Sequence, residues 1–158
     1  MRLLRSLAVA AAVGAWAVIV IGGYVSHTES GLGCGTDPLL CGPSSDSQAA
    51  LIEGVHRIAG WVEGFVMLGL LVLVWRRYAV WRAVRDLTTL GFALVVLQAV
   101  LGMAAVVTEL NPVVVTTHLA VATAFLAVTV LDAATILRGP PPSSVAPAMG
   151  AWRATGTE

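Results

Sequence analysis

The sequence predicts an all-α membrane protein, an antiparallel four-helix transmembrane bundle. Three observations predict it. The 158 residues are 58% hydrophobic and only 11% charged, where a soluble domain of this size carries a more charged surface. Apolar runs at about residues 7–25, 51–75, 87–107 and 113–137 each reach the roughly 20 residues that cross a bilayer. The basic residues, nine arginines and no lysine, cluster in alternate connections between these runs. In lipid the backbone must be satisfied within its own segment, so the runs are helices.

The first run follows Arg2 and Arg5. It is longer than the apolar core of a cleaved signal peptide, so it is expected to stay as an anchoring helix. A Gly-rich polar loop over residues 26–50 comes next. The second run ends at Trp75, and Arg76, Arg77, Arg82 and Arg85 fill the link to the third. A tight turn over residues 108–112 leads to the fourth, which Arg138 follows. The loop and the turn hold Glu29, Asp37, Asp46 and Glu109 but no arginine. The positive-inside rule therefore puts both termini in the cytoplasm of a multi-pass cell-membrane protein. Pro140, Pro141 and Pro142 are expected to end the fourth helix. The expected organisation is a four-helix domain over residues 1–138 and a disordered tail over 139–158, whose composition has too little apolar surface to fold. No basic patch interleaved with aromatic residues points to nucleic acid.

His56 and His118 each lie five residues inside the outer start of an apolar run, in two runs of the same direction. At 1.5 Å per residue both sit roughly 7–8 Å below the outer boundary. A single such histidine fits a ring hydrogen-bonded near the interface. A matched pair fits better a flat apolar ligand with iron at its centre, haem, which takes an imidazole on each face. Glu53, one turn outward of His56, can orient that ring, move protons or act beside the iron; it can also be an interfacial acid near the helix dipole. Arg57 can pair with Glu53, grip a haem propionate or snorkel to the interface.

Glu63 lies seven residues past His56 on the same face. It either hydrogen-bonds Gln98 or Thr123 from neighbouring helices or belongs to a proton path. Asp132, near the inner end of the last helix, is expected to pair with an inner arginine. Cys34 and Cys41 share the outer loop on the oxidising side, with six residues between them. They suit a small disulfide loop that either staples the loop over the bundle or passes electrons to the site beneath. Metal binding with His27, in the same loop, is a weaker reading. Trp75 and Trp81 flank the inner membrane boundary, and Trp16 and Trp61, at mid-membrane depth, are expected to pack within the bundle rather than line a porphyrin.

Taken together, these residues resemble the haem A synthase family, membrane enzymes of cytochrome oxidase assembly. The likeness is carried by Gly22-Gly23-Tyr24-Val25 with Thr28, Ser30-Gly31 and Gly33-Cys34; by Pro38 and Cys41-Gly42; by Glu53-x-x-His56-Arg57; and by Gln98, Gly102, Pro112 and Val115 to Leu119. It covers all four helices and leaves out the tail. It implies haem (haem B, O or A) held by His56 and His118, with Glu53 catalytic, Arg57 and Gln98 as cofactor-binding residues, and a Cys34–Cys41 disulfide. The implied activity is that of an oxidoreductase acting on a CH3 group: the C8 methyl of haem O becomes formyl, by two hydroxylations at one carbon and loss of water. The alternative is a haem-binding carrier or assembly factor that does not oxidise its ligand. Family members typically contain two four-helix halves and two histidine pairs. This chain resembles the substrate-type half, which implies a homo-oligomer that replaces the second half. Haem O synthase and the terminal oxidase are the further partners implied. A quinone-linked disulfide oxidoreductase would need a second redox pair, which the sequence lacks.

Overall fold

The computed structural model describes residues 1–36 and 48–140. Its helices are α1 (Arg2–His27), α2 (Gln48–Arg77), α3 (Arg82–Val107) and α4 (Pro112–Arg138). All four are long and apolar enough to cross a membrane. Each extends past the apolar run expected from the sequence at one end or both, because polar residues outside the hydrocarbon continue the helix. The architecture is the all-α membrane bundle that composition implied.

The helices form a ring. α1 packs on α2 and α4, and α3 packs on the same two, while the diagonal pairs α1/α3 and α2/α4 do not meet. Neighbours run antiparallel. Gly22 and Gly14 of α1 lie against His56 and Glu63 of α2, so one helix descends as the other rises. Gly102 of α3 lies against His118 of α4, and Thr88 of α3 bonds Asp132 of α4.

The packing surface of α1 is a column of Leu4, Ala8, Ala11 and Ala15, each at most 1% exposed. Lipid supplies no hydrophobic drive between helices, so close approach of small side chains has to hold them. Met67, Leu70 and Val74 of α2, Val84 of α3, and Phe125, Ala133 and Ile136 of α4 complete the core. The large apolar side chains outside it, among them Leu3, Val13, Val20, Phe65, Val72 and Leu131, point outward, where lipid covers them.

The start of α4 is tied off by a side chain. Asn111 caps α4 by accepting from the Val113 N–H at 3.0 Å, with Pro112 in the first turn. At the inner end of α4, Gly139 takes φ +88° and stops the helix at Arg138, ahead of the prolines expected to do so. The terminal amine lies 3.2 Å from the Tyr78 hydroxyl, which puts the start of α1 beside the α2–α3 link. Trp75 Nε1 donates to the Thr89 hydroxyl at 3.1 Å, and the Arg85 guanidinium lies 5.7 Å from the Trp75 ring centre. Trp16 and Trp61 depart from expectation. They are 58% and 57% exposed and face away from the bundle, because helical phase, not depth, decides which way a side chain points. The tail beyond residue 140 lies outside the described residues.

The alanine column gives a direct test. Ala11→Leu is expected to destabilise the bundle by about 1–3 kcal/mol through overpacking, while Val13→Leu on the outer face changes stability by less than about 0.5 kcal/mol. Detergent-denaturant titration followed by circular dichroism measures both.

Candidate functional site

His56 and His118 sit on the diagonal helices α2 and α4, eight residues past Gln48 and six past Pro112. The two-residue difference is about 3 Å along the axis. Neither helix touches the other, so the rings project into the space that the diagonal leaves. Each ring is seated on a glycine of the preceding helix. A Cβ at Gly22 would come within 2.9 Å of His56 Cε1, and one at Gly102 within 3.6 Å of His118 Cε1. Nδ1 of each imidazole is buried and has no hydrogen-bond partner. Buried polar atoms normally find one.

Glu53 is 3% exposed, one turn outward of His56. Its Oε2 accepts from the Cys34 backbone N–H at 2.8 Å. Its Oε1 accepts from Arg57, at 2.6 Å from Nη2 and 3.1 Å from Nε. The carboxylate therefore joins the outer loop, α2 and a guanidinium. Of the roles open to Arg57, the ion pair with Glu53 is present. Gln98 Nε2 donates to the backbone carbonyl of His118 at 2.9 Å, fixing the turn that carries the imidazole. Cys34 is buried. Cys41 lies outside the described residues, and so does the expected Cys34–Cys41 pairing. His27 ends α1 on the exposed surface.

Two expectations about the acids need correction. Glu63 does not bond Gln98 or Thr123: Gln98 is spent on His118, and the Thr123 hydroxyl donates to Ala120 O at 2.8 Å. Glu63 instead turns toward α1, where Gly14 makes room for it, and its Oε1 has no partner. Asp132 does not pair with an arginine. The Thr88 hydroxyl donates to its Oδ2 at 2.6 Å, and Oδ1 is unpartnered.

The sequence also holds a repeat that its hydrophobic pattern hides. Val20-Ile21-Gly22 with Thr28-Glu29 recurs as Val100-Leu101-Gly102 with Thr108-Glu109. The threonines bond the carbonyl four residues back, at 2.8 and 2.7 Å. The glutamates take φ +52° and +51°. The next N–H then reaches the carbonyl five residues back, Ser30 to Val25 and Leu110 to Ala105. α1 and α3 thus end alike, each six residues past the glycine that seats an imidazole. Aligning the Thr-Glu pairs would have placed Gly22 and Gly102 at equivalent positions.

The residues present fit a haem. The site offers two imidazoles on opposite sides, an unpartnered buried nitrogen on each, apolar helix walls, and Arg57 near the outer rim for an anionic group. A cavity of about 690 Å³ opens at the inner end, lined by Trp81, Arg82, Thr135 and Arg138 among others. It contains none of the buried imidazoles or carboxyls.

Fold and site together define a membrane-spanning four-helix protein with an imidazole pair set across the bundle near its outer end. The chain belongs to the cytochrome oxidase assembly protein family, the haem A synthase family, whose profile matches residues 43–156. It is 35% identical over 121 residues to proteins named heme A synthase from Bacillus mycoides (strain KBAB4), Bacillus cereus (strain AH187) and Bacillus anthracis (strain A0248). The alignment covers 74% of this chain and 39% of each relative, so the chain spans well under half of their length. No solved structure matches it.

The glycine seats differ in tightness, and that difference is testable. Gly22→Ala drives a Cβ into the His56 ring and is expected to weaken haem retention roughly tenfold, the equivalent of an overpacking cost of about 1–3 kcal/mol. Gly102→Ala meets His118 at ordinary contact distance and is expected to retain haem within about twofold. Haem-to-protein ratio after purification checks the pair.

Proposed function

We propose that this chain binds haem between His56 and His118 and works as a haem A synthase-type oxidoreductase, converting the C8 methyl of haem O to formyl for a cytochrome oxidase. The observation that carries the reading is the pair of buried imidazole nitrogens without protein partners, on helices that do not touch. The relatives are named heme A synthase, which supports haem A formation as the activity. When bound, haem supplies a redox-active iron and, as substrate, the methyl group to be oxidised.

The chain's own residues hold and orient it. His56 and His118 would hold the haem iron, each ring steadied against a glycine. Gln98 positions the His118 turn through its backbone carbonyl. Glu53 is the catalytic carboxylate, kept at the outer rim by the Cys34 N–H and by Arg57, and Arg57 also faces the anionic edge of the ligand. A Cys34–Cys41 disulfide staples the loop so that the Cys34 N–H stays on Glu53. Both termini lie on the cytoplasmic side of the cell membrane, as the arginines require. Residues 1–138 form the haem-binding domain and 139–158 its tail. The single histidine pair of this unit is complemented by a second copy of the chain in a symmetric homo-oligomer. Haem O synthase delivers the substrate and the terminal oxidase receives the product.

A second reading is favoured by one observation. Both oxygens of Glu53 are engaged within the protein, as they would be in a haem carrier whose carboxylate only braces the loop. Co-expression with a source of haem O, followed by pigment extraction, separates the two. For the enzyme, wild-type protein accumulates haem A; Glu53→Gln keeps its haem but makes roughly a hundredfold less haem A; His56→Ala and His118→Ala lose the haem. A carrier binds haem O in wild type and Glu53→Gln alike and yields no haem A. Unchanged haem content in both histidine variants would sink either version.

A further inference from the structure

The buried polar side chains fall into two groups. Ser30 and Glu53 belong to the outer end, and Glu63, Thr88, Thr129 and Asp132 lie inward of the histidines. The inward group is the costly one. A carboxyl in the hydrocarbon region is expensive and marks function by default. Glu63 is 4% exposed and Asp132 3%, and each keeps an oxygen without a partner. Structural acids at such depth satisfy both oxygens. An alanine opposite a leucine would pack α1 on α2 at no such cost. Here α1 instead presents Gly14, and the Glu63 carboxyl occupies the notch where its Cβ would be.

Glu63 lies two helical turns, about 10 Å, inward of His56 on the same face. One turn further, Met67 reaches to Gly91 of α3, and the position a Gly91 Cβ would take is 4.0 Å from Thr129 of α4. Asp132, one turn beyond Thr129, is bonded to Thr88. Other charged or titratable groups are remote. Those of α1 and α3 are confined to the helix ends, α4 brings only His118 and Asp132 to the interior, and on α2 the Arg57 guanidinium is paired with Glu53.

We propose that Glu63 is the proton-accepting partner of electron entry at the histidine pair. The proposal rests on the haem reading above. A ferric haem between two neutral imidazoles places one net positive charge at the iron, and the lone Glu63 carboxylate balances it. When one electron enters from an external reductant, that positive charge is lost. Glu63 then binds one proton and becomes a carboxylic acid, so the buried charge is zero before and after. In low-dielectric surroundings this balance is strongly preferred.

Redox titration of the haem-loaded protein tests it. The midpoint potential of wild type is expected to fall as pH rises, because reduction takes up a proton, and that dependence is expected to vanish in Glu63→Gln. Infrared difference spectra between reduced and oxidised wild-type protein need no variant. They are expected to show a carboxylic acid C=O band in the reduced state that shifts when glutamate is labelled with carbon-13. A pH-independent wild-type potential, a band unmoved by glutamate labelling, or a pH dependence that survives Glu63→Gln would overturn the proposal while leaving haem binding intact. Wild-type protein that holds no haem overturns both this inference and the reading beneath it.

Discussion

An imidazole inside a helical bundle needs space beside it and something to do with its nitrogens, and the arrangement of this protein follows from both needs. Gly22 and Gly102 supply the space. Because each glycine lies on the helix preceding its histidine, the two helical hairpins present their rings in the same way, from diagonal corners of the ring of helices. The matching Thr-Glu ends of α1 and α3 hold the glycines at equivalent positions. The nitrogens are left without protein partners, which a purely structural bundle would not tolerate at two related places.

The surroundings of that pair are divided by depth. On the outer side, Glu53 is a junction: a loop N–H on one oxygen, a guanidinium on the other, and His56 one turn below. On the inner side the interior is apolar except for four polar side chains, and two of those are acids without counter-charges. The bundle is thus tight where helices meet through alanine and polar where it faces the histidines, which sets the site apart from the packing that carries stability.

Much of this was legible in the sequence. Spans and class follow from bilayer thickness and from the length and polarity of the apolar runs. What remained hidden depends on rotation about helix axes and on partners distant in sequence. Trp16 and Trp61 sit at a plausible depth and point the wrong way. Glu63 had Gln98 and Thr123 as chemically reasonable partners, yet both hydroxyl and amide bond backbone carbonyls, and the acid found a glycine instead. Asp132 chose a threonine hydroxyl over a nearby arginine because its side chain faces the interior and the arginines do not. The Thr28-Glu29 and Thr108-Glu109 ends were visible as a short repeat, but their meaning required seeing which histidine each glycine faces.

The central claim is that two imidazoles, one from each hairpin, converge on a single iron. Near-infrared magnetic circular dichroism of the ferric, haem-loaded protein reads the axial ligands most directly. The account predicts the charge-transfer signature of two neutral imidazoles. A spectrum belonging to one imidazole with water, thiolate or thioether as the other ligand would contradict it.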